Sequence, residues 1–244
     1  MSDPLILSYN DSTIYQSDIN ILKHSNYWLN DSIISFYLEW LKDGGSGDNN
    51  KNIIPNDVLL LSPSVVFCCS FVESEQEIQL MFEQPLSLKS REVIFFPFCN
   101  NRDPSVVGGG SHWSLLIFIK SLNKFIYYDS INRFDSNDAI FIISKFKFLL
   151  SPSNNNLKEY IINQKTPQQQ NGYDCGLYVL SIIEELLKLI IKENENNKNG
   201  DNKILYKDLL LSESTNNLLF KEISPNFIKD KRIEILNIIL KLKK

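Results

Sequence analysis

The sequence predicts an α+β domain built on one central sheet. Three runs rich in β-branched and aromatic residues, 92–96, Trp113–Ile119 and Lys124–Tyr128, fall together in the middle of the chain and read as strands. Segments with helical spacing flank them on both sides. Neither an internal repeat nor an inter-domain linker interrupts the 244 residues. The expectation is a single domain over 1–244, long enough to bury a sizeable core.

Along the chain, Trp28-Leu29-Asn30-Asp31 leads into a helix over 32–41. Ile33, Ile34, Tyr37, Leu38 and Leu41 follow its period, and Asn30 stands as N-cap. A glycine- and asparagine-rich surface loop at 44–52 ends it. Ser62-Pro63 is a helix start, with proline at the first helical position, so 65–71 reads as helix although strand fits its periodicity equally. A second helix over 73–84 should stop at Pro85. After the three strands, 138–150 has helical spacing, and 159–163 is a fourth, shorter strand. An apolar helix over 176–193 must lie largely inside the protein. The segment 193–203 holds five asparagines in eleven residues, cannot bury a core, and reads as a solvated insertion. The tail, 229–244, is a basic amphipathic helix that packs on the domain edge.

Composition narrows the function classes. Hydrophobic residues make up 43% and charged residues 22% of the chain, with 25 basic residues against 29 acidic. This is the balance of a globular protein, without the basic excess or stripe of a nucleic-acid binder. No stretch reaches the roughly 18 uninterrupted apolar residues of a membrane span. The apolar run from Leu177 to Ile191 carries Glu184, Glu185 and Lys188. The Met1-Ser2-Asp3-Pro4 start lacks the basic and apolar regions of a signal peptide, so the expected setting is intracellular, in the cytoplasm and/or nucleus. The four cysteines (Cys68, Cys69, Cys99 and Cys175) form no C-x-x-C pair and have no nearby histidine, so neither a disulfide framework nor a zinc site is expected. The chain should need no metal and no cofactor.

Only two histidines are present, His24 and His112, and any imidazole chemistry must use one of them. His24 sits beside Lys23 and reads as a surface residue. His112 stands just before the strand Trp113–Ile119, and Asp129 just after Lys124–Tyr128. The turn between the strands is short, so they pair as an antiparallel hairpin. That brings His112 and Asp129, 17 positions apart, to one edge of the sheet. A carboxylate there can accept the imidazole N–H, fix the tautomer and stabilise the imidazolium.

The element Gln169-Gln-Asn-Gly-Tyr-Asp-Cys175-Gly176 delivers a cysteine to the start of the long helix, where unpaired N–H groups and the helix dipole favour a thiolate. A free thiol is only a few per cent ionised at pH 7, and making it mostly thiolate takes roughly 2.7 kcal/mol. A helix end supplies at most about 2 kcal/mol, so a neighbouring cation is required, and His112 is the natural one. Cys68, Cys69 and Cys99 lie in apolar surroundings and read as small buried hydrophobes.

These residues carry a resemblance. Gly-Gly-Ser-His112-Trp113-Ser-Leu-Leu, Tyr128-Asp129-Ser130 and the Gln169-to-Gly176 element resemble, in order and spacing, the sentrin/ULP-type cysteine proteases of ubiquitin-like modifiers. Trp28-Leu-Asn-Asp31 is a fourth match. The opening Asp3-Pro-Leu-Ile-Leu-Ser-Tyr and the Gln-Gln-Asn element make the chain most similar to the deneddylating branch. The loop at 44–52 and the insertion at 193–203 depart from the pattern outside the matched motifs. The resemblance implies a papain-like cysteine protease fold with a central, mostly antiparallel sheet and packed helices. It implies Cys175 as nucleophile, His112 as general base and acid, Asp129 as orienter, and Gln169 with the Cys175 N–H at the oxyanion. It further implies Trp28 and Trp113 over the channel for the modifier's C-terminal diglycine, and Asp31 against the modifier's basic tail. The implied activity is cleavage after Gly-Gly of the neddylation modifier, from its precursor and from conjugates such as cullins, by a monomer. The alternatives are a protease for ubiquitin or the sumoylation modifier, an acyltransferase on the same triad, and a non-catalytic module that binds a ubiquitin-like protein.

Overall fold

A computed structural model describes residues 3–45, 54–103, 105–106, 108–131, 137–150, 156–197 and 204–243. In chain order its elements are a hairpin, β1 (Leu5–Tyr9) and β2 (Ser12–Tyr15), then α1 (Gln16–Lys23), α2 (Asp31–Lys42), β3 (Val58–Leu60) and α3 (Pro63–Phe71). A broken helical path follows, made of α4 (Glu75–Ile78), a π-helical turn (Gln79–Glu83) and α5 (Gln84–Leu86). Then come β4 (Val93–Cys99), β5 (Trp113–Ile119), β6 (Lys124–Tyr128), α6 (Asn137–Lys145) and β7 (Ile161–Asn163). Four helices close the chain: α7 (Cys175–Asn197), α8 (Tyr206–Leu210), α9 (Glu213–Glu222) and α10 (Pro225–Leu242).

The central sheet has the order β3-β4-β5-β6-β7. Its middle is the antiparallel trio β4, β5 and β6, and one parallel strand lies at each edge. Both faces of the trio are covered, which explains runs as apolar as Ser114-Leu-Leu-Ile-Phe-Ile119. On one face, Leu115, Ile117, Ile126 and Tyr128 pack with α2, α7 and α10. On the other, Leu116, Phe118 and Phe125 pack with Val66 of α3, Ile142 of α6 and Phe146 just past the end of α6. The β5–β6 hairpin turns through Lys120–Leu122 and Asn123, whose φ of 53° is the left-handed conformation asparagine tolerates.

Several elements differ from the sequence expectation. The strand expected over 92–96 runs on to Cys99, through Pro97. The Phe95 carbonyl accepts from Leu61 N–H, so alternate residues of β4 face β3. Pro97 shares that side but lies beyond Leu60, where β3 has ended, and its missing N–H therefore removes no ladder bond. Pro85 does not stop the helical path. The Gln84 N–H bonds to Gln79 O, five residues back, and this wider register makes room for the proline ring. The chain leaves the helix at Ser87, with φ 51°.

Two expectations near the C-terminus also change. The helix α7 extends to Asn197, so the first five residues of the expected solvated insertion are helical. Residues 198–203 lie outside the described residues, as does most of the 44–52 loop. The tail helix begins at Pro225, capped by the Ser224 hydroxyl, which accepts from Phe227 N–H. It is not simply an edge helix, because Lys231 and Arg232 are both buried. Lys231 Nζ meets Glu184 Oε2 at 2.6 Å, and Tyr37 donates to the same oxygen at 2.7 Å. Burial opposes the charge on Glu184, but Lys231 and Lys188 outweigh it and hold the carboxyl below its usual range. Removing either partner of such a buried pair would leave the other charge uncompensated, at a cost of about 3–5 kcal/mol.

Candidate active site

Three chain segments meet at the end of the β5–β6 hairpin. Asn100 supports the first. Its side-chain oxygen accepts from the N–H groups of Ser111 (2.7 Å) and His112 (3.1 Å), and its own N–H donates to His112 O. Leu115 pairs with Tyr128, and continuing that register sets Ser114 opposite Asp129. His112 shares the alternation of Ser114, so imidazole and carboxylate project on the same side. They meet at 2.7 Å, His112 Nε2 to Asp129 Oδ1, both buried.

The carboxylate is held on every side. Asp129 Oδ1 also accepts from Ile131 N–H, Oδ2 accepts from the Tyr127 hydroxyl, and the Asp129 N–H donates to Thr166. Burial disfavours the carboxylate, but the hydrogen bonds from His112, Ile131 N–H and Tyr127 and the charge of His112 together outweigh it, and the pKa ends below the ordinary aspartate value. Burial likewise disfavours the imidazolium. The bond to Asp129 and the neighbouring Cys175 overcome that, lifting His112 to about 9.

Cys175 comes from the second segment. It is the first residue of α7 and is fully buried. Before it, Asn171 organises a tight loop. Its side-chain oxygen accepts from Tyr173 and Asp174 N–H, and its amide donates to Asp174 Oδ2 at 2.7 Å. The Asp174 carbonyl takes the first helical N–H groups, those of Leu177 and Tyr178. Gly176 has a steric reason: a Cβ there would stand 3.1 Å from the Leu29 Cβ. His112 Nδ1 is buried and without a hydrogen-bond partner among the described residues. Cys175 lies close enough to hold the imidazolium charge, while Nδ1 stays available to take or give a proton.

The third segment is the Trp28–Asp31 stretch. Together with 108–113 and Cys175 it lines a cleft of about 480 Å³. Trp28 stands half-exposed on the rim and donates from its indole to Gly172 O. Trp113 is instead buried at the base, its indole donating to Leu29 O at 2.8 Å. Asp31, exposed, opens α2 and also lines a second cavity of about 240 Å³ that reaches Phe67, Phe98 and Val106. Gln169 lies on the nucleophile loop. Its oxygen accepts from Ser130 Oγ and its amide donates to Asn171 O, each at 2.6 Å. One of its two amide hydrogens remains for another acceptor.

The structure thus gathers Trp28, Asp31, His112, Trp113, Asp129 and Cys175 at one cleft, with Gln169 in the loop that presents the thiol. His24 is exposed and apart from it. Among the other thiols, Cys69 is buried, and burial pushes it well up. Cys99 is partly buried at the cleft, and burial raises it too. Cys68 departs from its expectation and is exposed on α3. Sequence reasoning missed Asn100, Asn171, Asp174 and Arg232. The asparagines had a signal, since each precedes a functional residue in a polar, glycine-containing loop that needs a side-chain acceptor for its N–H groups. Arg232 had none. Among the described residues no cluster of His, Cys, Asp or Glu is placed to hold a metal ion, and no helix is long and apolar enough to cross a membrane.

Comparison with known proteins follows the same line. The profile of the Ulp1 protease family, C-terminal catalytic domain, matches residues 27–209. A probable sentrin-specific protease 8 of Dictyostelium discoideum is 85% identical over 246 residues, covering 100% of both chains. Sentrin-specific protease 8 of Rattus norvegicus is 36% identical over 190 residues, covering 78% of this chain and 82% of its own. The NEDD8-specific protease 1 of Arabidopsis thaliana is 30% identical over 243 residues, covering 98% and 94%. Among solved structures, a de-sumoylating protease superposes with a TM-score of 0.63 at 20% identity, covering 98% of this chain and 91% of its own. The Ulp1 protease domain in complex with SMT3, the yeast ortholog of SUMO, gives 0.55 at 19%, covering 100% and 90%. At those identities the superpositions show a shared fold, whereas the matched profile spans the Trp28 wall, the hairpin and the cysteine helix. The chain belongs to the Ulp1 protease family of cysteine peptidases.

Proposed function

We propose that this protease cleaves after the C-terminal Gly-Gly of the neddylation modifier, maturing its precursor and releasing it from conjugates such as cullins. It acts as a monomer in the cytoplasm and/or nucleus. The observation that carries the chemistry is the buried His112–Asp129 pair beside a thiol at a helix start. The names of the relatives at 85% and 30% identity support the choice of modifier.

Cys175 Sγ attacks the carbonyl carbon of the terminal glycine. The free hydrogen of the Gln169 amide and the Cys175 N–H stabilise the oxyanion. The imidazolium of His112 protonates the departing amine, the C–N bond breaks, and a thioester remains. His112 then takes a proton from water, which attacks the thioester and frees the modifier's carboxylate and the thiol. Asp129 keeps Nε2 protonated throughout, so Nδ1 is the nitrogen that exchanges protons.

The test is a set of C-terminal fluorogenic fusions of the neddylation modifier, ubiquitin and the sumoylation modifier, offered to wild type and to Cys175→Ala. Wild type should hydrolyse the first fastest, and Cys175→Ala none. Hydrolysis by Cys175→Ala, or no hydrolysis by wild type, would overturn the reading. Faster turnover of either other modifier would leave the protease chemistry standing and reassign the substrate.

A further inference from the structure

Arg232 lies twelve positions from the end of the sequence, on α10, and is buried at 5% exposure. Its Nη2 donates to Asp174 Oδ1 at 3.0 Å and to Tyr27 O at 2.8 Å. Its Nη1 donates to the carbonyls of Ile21 (3.3 Å) and His24 (3.4 Å). Asp174 immediately precedes Cys175, and Tyr27 immediately precedes Trp28. A single guanidinium therefore grips the neighbour of the thiol and the neighbour of the rim indole, on the two walls of one cleft.

We propose that Arg232 is a positioning residue that sets the spacing and alignment of these two walls, acting through Asp174 on Cys175 and through the Tyr27 carbonyl on Trp28. The proposal rests on the protease reading for its substrate arm. On the exposed side the walls are joined by the Trp28 indole and Gly172 O. Between them Gly176 packs closely on Leu29, where a Cβ would stand 3.1 Å from the Leu29 Cβ. Arg232 joins them from the buried side, so the cleft is fixed front and back.

The residue type suits the task. A planar guanidinium presents its donors in several directions at once, whereas an ammonium is a point charge. Asp174 is also a buried carboxylate next to the thiol, and its Oδ2 is already held by Asn171. Arg232 supplies the opposite charge on the remaining oxygen. Without it an unbalanced buried negative charge would stand on the residue next to the one that must carry a thiolate.

Two variants separate the two walls. Arg232→Met removes both grips. In the folded protein it should slow alkylation of Cys175 by iodoacetamide, a reagent too small to need the Trp28 wall. It should also lower kcat/KM on the neddylation-modifier fluorogenic fusion by roughly ten- to a hundredfold, the scale of a small misplacement at a reacting centre. Arg232→Lys keeps a charge for Asp174 but cannot also hold the carbonyls of Tyr27, Ile21 and His24. Alkylation should then stay at the wild-type rate, while KM rises about 2- to 12-fold, the net worth of the one bond lost to the Tyr27 carbonyl beside Trp28.

Rates are normalised to the folded fraction from circular dichroism. A purely structural arginine would lower the melting temperature and leave both rates of the folded protein unchanged, and that result overturns the proposal. Should Arg232→Met fail to fold, Arg232→Lys decides alone, with a wild-type KM as the overturning result. Wild type inactive on the fusion, with alkylation still responding to Arg232→Met, would instead count against the protease reading.

Discussion

The Trp28 indole donates its N–H to the Gly172 carbonyl across 144 positions of sequence, joining the rim of the cleft to the loop that presents Cys175. This bond holds the indole on the cleft that Cys175 also lines, and a bulky ring held there favours glycine beside the scissile bond. Trp28→Phe keeps the ring and loses the bond. It should lower kcat/KM on a modifier fusion about 2- to 12-fold, the net worth of one hydrogen bond. Trp28→Ala opens the entry, so a substrate with alanine as its penultimate residue should gain on the Gly-Gly substrate relative to wild type. Unchanged selectivity in Trp28→Ala would remove the indole from the substrate channel.

Thiol reactivity sets exposure against activation. Cys68 is exposed and Cys175 fully buried, so accessibility alone favours Cys68. The imidazolium beside Cys175 favours the opposite order, because the thiolate is the reactive species. Brief, substoichiometric alkylation at neutral pH should place the label on Cys175 by peptide mapping. Predominant labelling of Cys68, Cys69 or Cys99 would sink the ion-pair argument.

These relationships were unequally legible in the sequence. The hairpin could be read because alternation, strand length and one short turn fix its register, and register alone brings His112 to Asp129. The β1–β2 hairpin was missed because its strands are only five and four residues long: β1 has no fully buried residue, and the buried-exposed alternation of β2 spans just four positions, too few to stand out. The three residues of β3 gave no signal above their surroundings. Pro97 misled because a proline normally bars an inner strand, and only the length of the neighbouring β3 makes it harmless. Cys68 was misplaced because the apolar run around it suggests burial all round, whereas α3 buries Val66 and Cys69 and turns Cys68 outward. Arg232 was invisible for a different reason. Its partners lie 58 and 205 positions away, and no local pattern encodes a tertiary grip.

The His112 shift gives a pH signature. His112 rises from 6.5 to about 9 despite burial, through Asp129 and Cys175. A group raised on folding contributes stability that is fully present below about pH 6.5 and is lost as the pH climbs through about 9. With 1.36 kcal/mol per unit the contribution is on the order of 3 kcal/mol. The NMR titration needs only two histidine assignments. The His112 resonance should titrate near 9 in wild type and at lower pH in Asp129→Asn and in Cys175→Ala. Activity should fall over the same alkaline window. A wild-type His112 midpoint near 6.5 would contradict the ion pair.

Gln169 has two possible uses, as oxyanion donor or as strut between Ser130 and Asn171. Gln169→Ala should lower kcat by about 10²–10³, the cost of one lost oxyanion donor, while binding of the modifier to a Cys175→Ala background stays intact. A strut would instead show as a lower melting temperature with near-wild-type turnover.

Modifier choice must come from outside the triad, since the same thiol, imidazole and oxyanion donors serve any Gly-Gly terminus. Asp31 stands where the cleft meets the second cavity and lines both, so it is placed to meet residues upstream of the diglycine. Across the cleft, the chain at Gly110 packs closely on Cys99 and Asn101. Gly110 has φ +89°, and a Cβ there would collide with Cys99 Sγ and come within 2.9 Å of Asn101 N. Farther along, Arg102 is tied to Asp138 of α6 and stacks over Phe141. A close-packed wall facing Asp31 can sort substrates by charge and by side-chain size, because a single charged contact or small clash shifts kcat/KM by about 10–200-fold. Asp31→Ala should therefore cut kcat/KM on the neddylation-modifier fusion by about tenfold or more, the lower end of that range. Most of the loss should fall in KM, with Cys175 alkylation left at the wild-type rate. Equal losses on all three modifiers would keep Asp31 as a general tail contact and assign discrimination to the 100–111 loop. No loss on any of them would reduce Asp31 to a first-turn acid that merely favours the start of α2.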